Sequence, residues 1–241
     1  MRLRLGLIPG LFVALTTPGC GGDDGPGAKP GTESPAVDQT VNGYCGDVTP
    51  SLIAAAGDPE IATAPVAEEP VAGSACNAVV RTYPLESASH VTPCTPVTYG
   101  TNPPSSGQHY GVFPKFGVYE YAIPRGFWVH ALEHGGAVVT YSCTDCESEV
   151  AQAIELVKTQ DVEALCCSGG SCDSATNRML LTPDPGSPTR WAASAWGFTL
   201  TADCFEPEVF KNFADSYRGQ GPEQICANIY AADVSQPASS R

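Results

Sequence analysis

The apolar positions of this chain fall into short blocks of two different periods. "NAVVRTYPL", "GAVVTYSC" and "RMLLTP" are β-branched and aliphatic runs bounded by turn residues, which predicts strands. "RWAASAWGFTLT" reads as a further strand, separated from "RMLLTP" by the turn "DPGSP". "ESEVAQAIELVKTQ" sets Val150, Ile154 and Val157 at helical spacing, and "EPEVFKNFADSYRG" does so with Val209, Phe210 and Phe213 ahead of Gly219. "PRGFWVHALEH" predicts a shorter helix, with Pro124 near its start and Gly135 past its end. Upstream, "CTPVTYGTNPPSSGQHYGVFPKFGVYEY" holds too much Pro and Gly for a long helix and predicts loop with short extended pieces. The second half thus runs strand, helix, strand, strand, helix. The predicted fold is α+β, or α/β: one compact domain with a small mixed sheet flanked by two amphipathic helices.

The ends of the chain carry a different pattern. Arg2 and Arg4 precede the apolar run Leu5–Thr16, which is too short to span a bilayer, so residues 1–19 are predicted to be an export signal. The run ends at Cys20 after "TPG", which resembles a bacterial lipobox, although Thr17 stands where Leu is usual. The expectation is a lipid on Cys20 that holds the protein to a membrane of the cell envelope, periplasmic or surface-facing. Residues 20–43 are Gly, Pro, Ser and acid with little to bury, hence a flexible tether. The globular domain is predicted over residues 44–231, and residues 232–241 should fray. No later stretch is long and apolar enough for a transmembrane helix. Losing Arg2 and Arg4 with the leader takes the formal charge from −14 to −16. So acidic a surface argues against a nucleic-acid partner.

Eleven cysteines change the picture further. Beyond Cys20, ten remain: Cys45, Cys76, Cys94, Cys143, Cys146, Cys166, Cys167, Cys172, Cys204 and Cys226. An even number in an exported chain predicts a disulfide-stapled domain, each bridge contributing about 2–4 kcal/mol, with the pairing left open. "CCSGGSC" looks like a stapled loop. Cys143 and Cys146 stand between a predicted strand and a predicted helix, the thioredoxin-like arrangement in which a helix dipole activates the first thiol. Asp145 and Glu147 oppose that activation. A thiol–disulfide oxidoreductase is therefore a rival reading, behind structural bridges.

The chemistry concentrates elsewhere. All four histidines, His90, His109, His130 and His134, fall within one stretch of the chain, and packing alone gives no reason for such clustering. On a helix, His130 and His134 lie one turn apart on the same face, and Glu133 stands beside them as ligand, second-sphere acceptor or base. Loops could bring His109 and His90 to the same point. Imidazole donors suit Cu²⁺ or Zn²⁺ better than Ca²⁺ or Mg²⁺. Against this stands a plain alternative, in which the histidines are buried and hydrogen-bonded to backbone carbonyls in a metal-free structural or interaction module. "HALEH" also matches the inverted zinc-peptidase pattern, but no second helix clearly supplies the acidic ligand those enzymes need. Ser105 and Ser106 lack the strand–turn–helix elbow of a serine nucleophile, and Trp191 and Trp196 suit packing better than sugar binding.

Several separated blocks occur in a recognisable order: His90 and Val91, Tyr99, Pro103 to Tyr110, Gly117 to Tyr119, His130 to Gly135, Tyr141, and Ala195 to Gly197. Over about residues 88–220 the chain resembles the bacterial domain-of-unknown-function family 3105. The resemblance implies an envelope-associated domain behind a signal or anchor and carries no established activity. The cysteine richness departs from that family and looks like a local stabilising addition. The function expected from all this is metal binding or sensing rather than catalysis: Cu²⁺ or Zn²⁺ on His90, His109, His130 and His134 with Glu133.

Overall fold

The predicted β-runs pair, in the computed structural model, into a seven-stranded mixed sheet. The structure describes Cys45, residues 63–161 and 177–223, and Val234, which share one compact unit. The segments expected to be leader and tether, Cys20 among them, most of the expected tail, and Cys166, Cys167, Cys172 and Cys226 lie outside the described residues.

In chain order the strands are β1 (Ala67–Pro70), β2 (Val79–Thr82), β3 (His90–Val91), β4 (His109–Tyr110) and β5 (Gly117–Val118). Helix α1 (Arg125–Glu133) leads into β6 (Ala137–Tyr141), and α2 (Glu147–Thr159) precedes β7 (Met179–Pro183). Then follow β8 (Trp191–Ala195), β9 (Phe198–Ala202) and α3 (Pro207–Tyr217). The large sheet runs β1-β2-β9-β8-β6-β7-β5, and β3 with β4 forms a separate parallel pair. β6 is parallel to β7 and antiparallel to β8, so the chain between β6 and β7, which includes α2, makes the crossover that parallel neighbours require.

Period-two alternation on the central strands sorts the core into two halves. Ala137, Val139, Tyr141, Met179 and Leu181 face one side, where Val150, Leu156 and Val157 of α2 and Phe210 and Phe213 of α3 cover them. Val138 and Leu180 face the other side, under Phe127, Trp128, Val129 and Leu132 of α1. The two amphipathic helices therefore share one face of the sheet. All nine residues of α1 are buried, so no polar stripe marks it. The predicted α+β class holds, with a larger sheet than its short apolar runs suggested.

One strand was longer in expectation than in fact. "RWAASAWGFTLT" is a two-stranded hairpin, β8 and β9, with Ala195 paired to Phe198 across Trp196 and Gly197. Gly197 takes φ 84°, which reverses the chain where an uninterrupted strand was expected. The two tryptophans consequently part: Trp191 joins the α2–α3 side, and Trp196 joins the α1 side.

Three bridges form among the described cysteines: Cys45–Cys94, Cys76–Cys204 and Cys143–Cys146. Such bridges belong to an oxidising compartment. Among the described residues no helix is long and apolar enough to cross a membrane. Cys76 and Cys204 are 128 positions apart, so their bridge closes the longest of the three loops. Replacing that pair by alanine is expected to lower unfolding free energy by about 2–5 kcal/mol in denaturant titration, with far-ultraviolet circular dichroism unchanged.

Candidate metal centre

Helix α1 sets the site because its two ends are determined locally. Pro124 precedes its first turn. At the other end Gly135 takes φ 76°, its N–H donates to the Leu132 carbonyl, and the Gly136 N–H donates to the Ala131 carbonyl. That is the paired closure of a Schellman motif, which a residue with a β-carbon would strain. A buried ion pair holds the first turn. Arg125 Nη2 lies 2.8 Å from Asp184 Oδ2 and also donates to Asn102 Oδ1 at 2.9 Å. At Gly126 a β-carbon would stand 2.7 Å from the Tyr110 ring, so glycine lets β4 lie close against the helix.

β3 and β4 contribute the other two histidines. Their parallel pairing puts His90 directly opposite His109. The rings of His90, His109 and His130 form a near-equilateral triangle, with centroids 4.7–4.9 Å apart. Their Nε2 atoms face one oxygen: Glu133 Oε2 lies 2.9 Å from His109, 3.8 Å from His90 and 3.9 Å from His130. One donor atom from each of these four residues falls within 4.8 Å of all the others, a group that could hold a metal ion.

Hydrogen bonds decide which ring nitrogens carry protons. His109 Nδ1 lies 2.9 Å from the Gly107 carbonyl, and His130 Nδ1 lies 2.6 Å from the Tyr110 carbonyl. A carbonyl only accepts, so each Nδ1 is the donor, and neutral rings turn their Nε2 lone pairs inward. His109 Nε2 and Glu133 Oε2 are buried without a hydrogen-bond partner among the described residues. A shared proton can reconcile one such pair of acceptors. The four donor atoms together could hold a cation, and backbone carbonyls on the outer nitrogens are what metal-bound histidines usually have.

His134 belongs beside this group. Its ring stacks on His130, with Nε2 atoms 2.9 Å apart, and Phe113 packs against both. The expected shared face is therefore present. The donor atom of His134 groups instead with Glu133 and Glu223, a residue the sequence did not single out. No local pattern around "GPEQ" points to it. Trp196 stands edge-on to His109, its centroid 6.3 Å away. Ser105 and Ser106 are buried loop residues: Ser106 Oγ accepts from the Glu86 N–H, and the Ser105 N–H donates to Thr101 Oγ1.

The rival pair also comes together. Cys143 and Cys146 bond to each other at the start of α2, and both are buried. Asp145 next to them is paired with Arg190 at 2.9 Å.

Burial holds two of the imidazoles neutral. It pushes His130 down from 6.5 to about 3, with His109 and His134 adding repulsion. It pushes His134 to about 4, outweighing the opposite pull of Glu223. Below pH 6.5 the unfolded chain therefore binds protons that the folded chain refuses, and stability falls as pH drops toward 4. Above 6.5 the two rings add no slope. Calorimetry of the metal-free protein is expected to show this decline between pH 6.5 and 4.5, and a shallower one in His130→Gln.

The profile of a protein family of unknown function, DUF3105, matches residues 90–228, a span that takes in every donor from His90 to Glu223. No curated protein matches the chain, and no solved structure does. Since that match covers more than half of its length, the chain belongs to the DUF3105 family.

Proposed function

We propose that the protein binds one Zn²⁺ or Cu²⁺ through His90, His109, His130 and Glu133 in the cell envelope, held to a membrane by a lipid on Cys20. The carrying observation is the convergence of three imidazole Nε2 atoms on Glu133 Oε2 with two outer nitrogens already given to backbone carbonyls. Donors about 2.0–2.1 Å from a tetrahedral ion lie roughly 3.3 Å from one another, and the 2.9–3.9 Å separations bracket that value. Imidazole with one carboxylate suits these ions, whereas Ca²⁺ and Mg²⁺ prefer all-oxygen shells. His90 is the way in, its side chain 55% exposed while the other three donors are nearly covered. Four protein donors close a tetrahedral shell, which favours binding or sensing over hydrolysis, where an open position is kept. Glu133 stands among the donors and is not spare as a base.

Mass-spectrometric metal analysis of the chain exported in an oxidising host is expected to find near one equivalent. His109→Ala/His130→Ala should lose it while keeping its circular dichroism. No metal in the wild type, even after incubation with both ions, would refute the proposal and leave the histidines as a structural network.

A thioredoxin-like redox role is the second reading. Two observations favour it: Cys143 and Cys146 pair with each other, and the strand after which they stand, β6, lies between a parallel β7 and an antiparallel β8. Their burial counts against ready exchange with a partner dithiol. On mild reduction followed by thiol alkylation, this reading expects Cys143 and Cys146 to be labelled before the other cysteines. We expect them to be labelled no earlier than Cys45 and Cys94.

A further inference from the structure

After α3 the chain turns back over the C-terminal end of α1. The Gly219 N–H donates to the Gly135 carbonyl at 2.8 Å, and the Glu223 N–H donates to the Glu133 carbonyl at 3.2 Å. Between them Gly221 lies so close that a β-carbon would stand 2.2 Å from the Glu133 carbonyl oxygen and 2.4 Å from the Gly135 nitrogen. Backbone on backbone leaves nothing flexible to yield there. This strap uses carbonyls that a helix end leaves without intrahelical partners, and it determines where the Glu223 side chain begins.

That side chain ends at the one histidine outside the four-donor group. Glu223 Oε2 lies 3.4 Å from His134 Nδ1. His134 is 3% exposed, and its Nδ1 has no hydrogen-bond partner of standard geometry among the described residues. On the opposite side of the ring, His134 Nε2 faces His130 Nε2 at 2.9 Å. His130 must present a lone pair there, because its Nδ1 proton goes to the Tyr110 carbonyl. The proton of a neutral His134 thus has two possible places. On Nε2 it would occupy the lone pair that His130 needs for the cation. On Nδ1 it meets the Glu223 carboxylate, and the lone pair of His130 is left free.

We infer that Glu223 is a positioning residue of the metal centre: it accepts the Nδ1–H of His134 and so keeps the His134 proton off the Nε2 lone pair with which His130 would hold the cation. This rests on the metal-binding reading above and deepens it. Loss of a second-sphere partner that sets the protonation of a ligand costs about 10–100-fold in metal affinity.

The test is competition titration of Zn²⁺ against a chromophoric chelator, with stoichiometry, on the exported chain. The variants are Glu223→Ala, Glu223→Gln, His134→Ala and the His134→Ala/Glu223→Ala double. The wild type should bind one equivalent, and Glu223→Ala should bind about 10–100-fold more weakly. Glu223→Gln keeps an acceptor oxygen and should fall between the two, with the metal-free melting temperature unchanged. The double variant should bind no more weakly than His134→Ala, because Glu223 acts only through His134. Undiminished affinity in Glu223→Ala would overturn the inference, as would losses that multiply in the double variant. Two equivalents in the wild type and one in Glu223→Ala would overturn it as well, making Glu223 a direct ligand of a second cation shared with Glu133. A wild type that binds no Zn²⁺ would instead bring down the metal-binding reading itself.

Discussion

A carboxylate at the unfavourable end of a buried helix is the constraint around which this structure is arranged. Glu133 lies in the last turn of α1, where the helix dipole is negative, and its side chain is 10% exposed. Its close neighbours are imidazole nitrogens, and that of His130, kept neutral by burial with its Nδ1 proton given to the Tyr110 carbonyl, offers a lone pair and no proton. A charge so placed costs several kcal/mol unless a cation or proton meets it. The same burial that makes the carboxylate costly keeps His130 and His134 neutral, so their lone pairs are available at ordinary pH. Desolvation of His130 and His134 therefore leaves the site short of positive charge.

The rest of the fold keeps α1 in place. The sheet supplies an apolar floor through Val138 and Leu180, while β3 and β4 bring His90 and His109 to the flank of α1. Arg125 ties the first turn to Asp184 beyond β7, and the Gly135–Gly136 closure with the Gly219–Glu223 strap secures the last turn. Backbone carbonyls then orient the rings of His109 and His130. Three of the four converging donors stand on buried, well-packed elements, and one is at the surface. Such a cluster combines fixed geometry with access from solvent.

Charge and disulfides act at longer range. The chain's formal charge of −14 gives it a field that concentrates cations near its surface. The Cys45–Cys94 bridge anchors the loop that follows β3, four residues beyond His90, which steadies the only exposed donor. The Cys76–Cys204 bridge joins the β1–β2 side of the sheet to the segment after β9, away from the donors in sequence.

Local information sufficed for what local physics decides. Pro124 and Gly135 bounded α1, apolar spacing located α2 and α3, and the clustering of His90, His109, His130 and His134 along the chain pointed to imidazoles that lie together in the fold. The hairpin between β8 and β9 was hidden because "WAASAWGFTLT" is apolar throughout and only Gly197 interrupts it. The pairing of His90 with His109 was hidden because two-residue strands carry no period. Glu223 was hidden because it reaches His134 across 89 positions of chain. The sequence by itself determined which donors this protein has, since residue type sets ligand chemistry and helical spacing is a property of neighbours. Only the tertiary structure decided which nitrogen of each ring faces inward and which carboxylate it meets, because backbone carbonyls and chain segments distant in sequence make that choice.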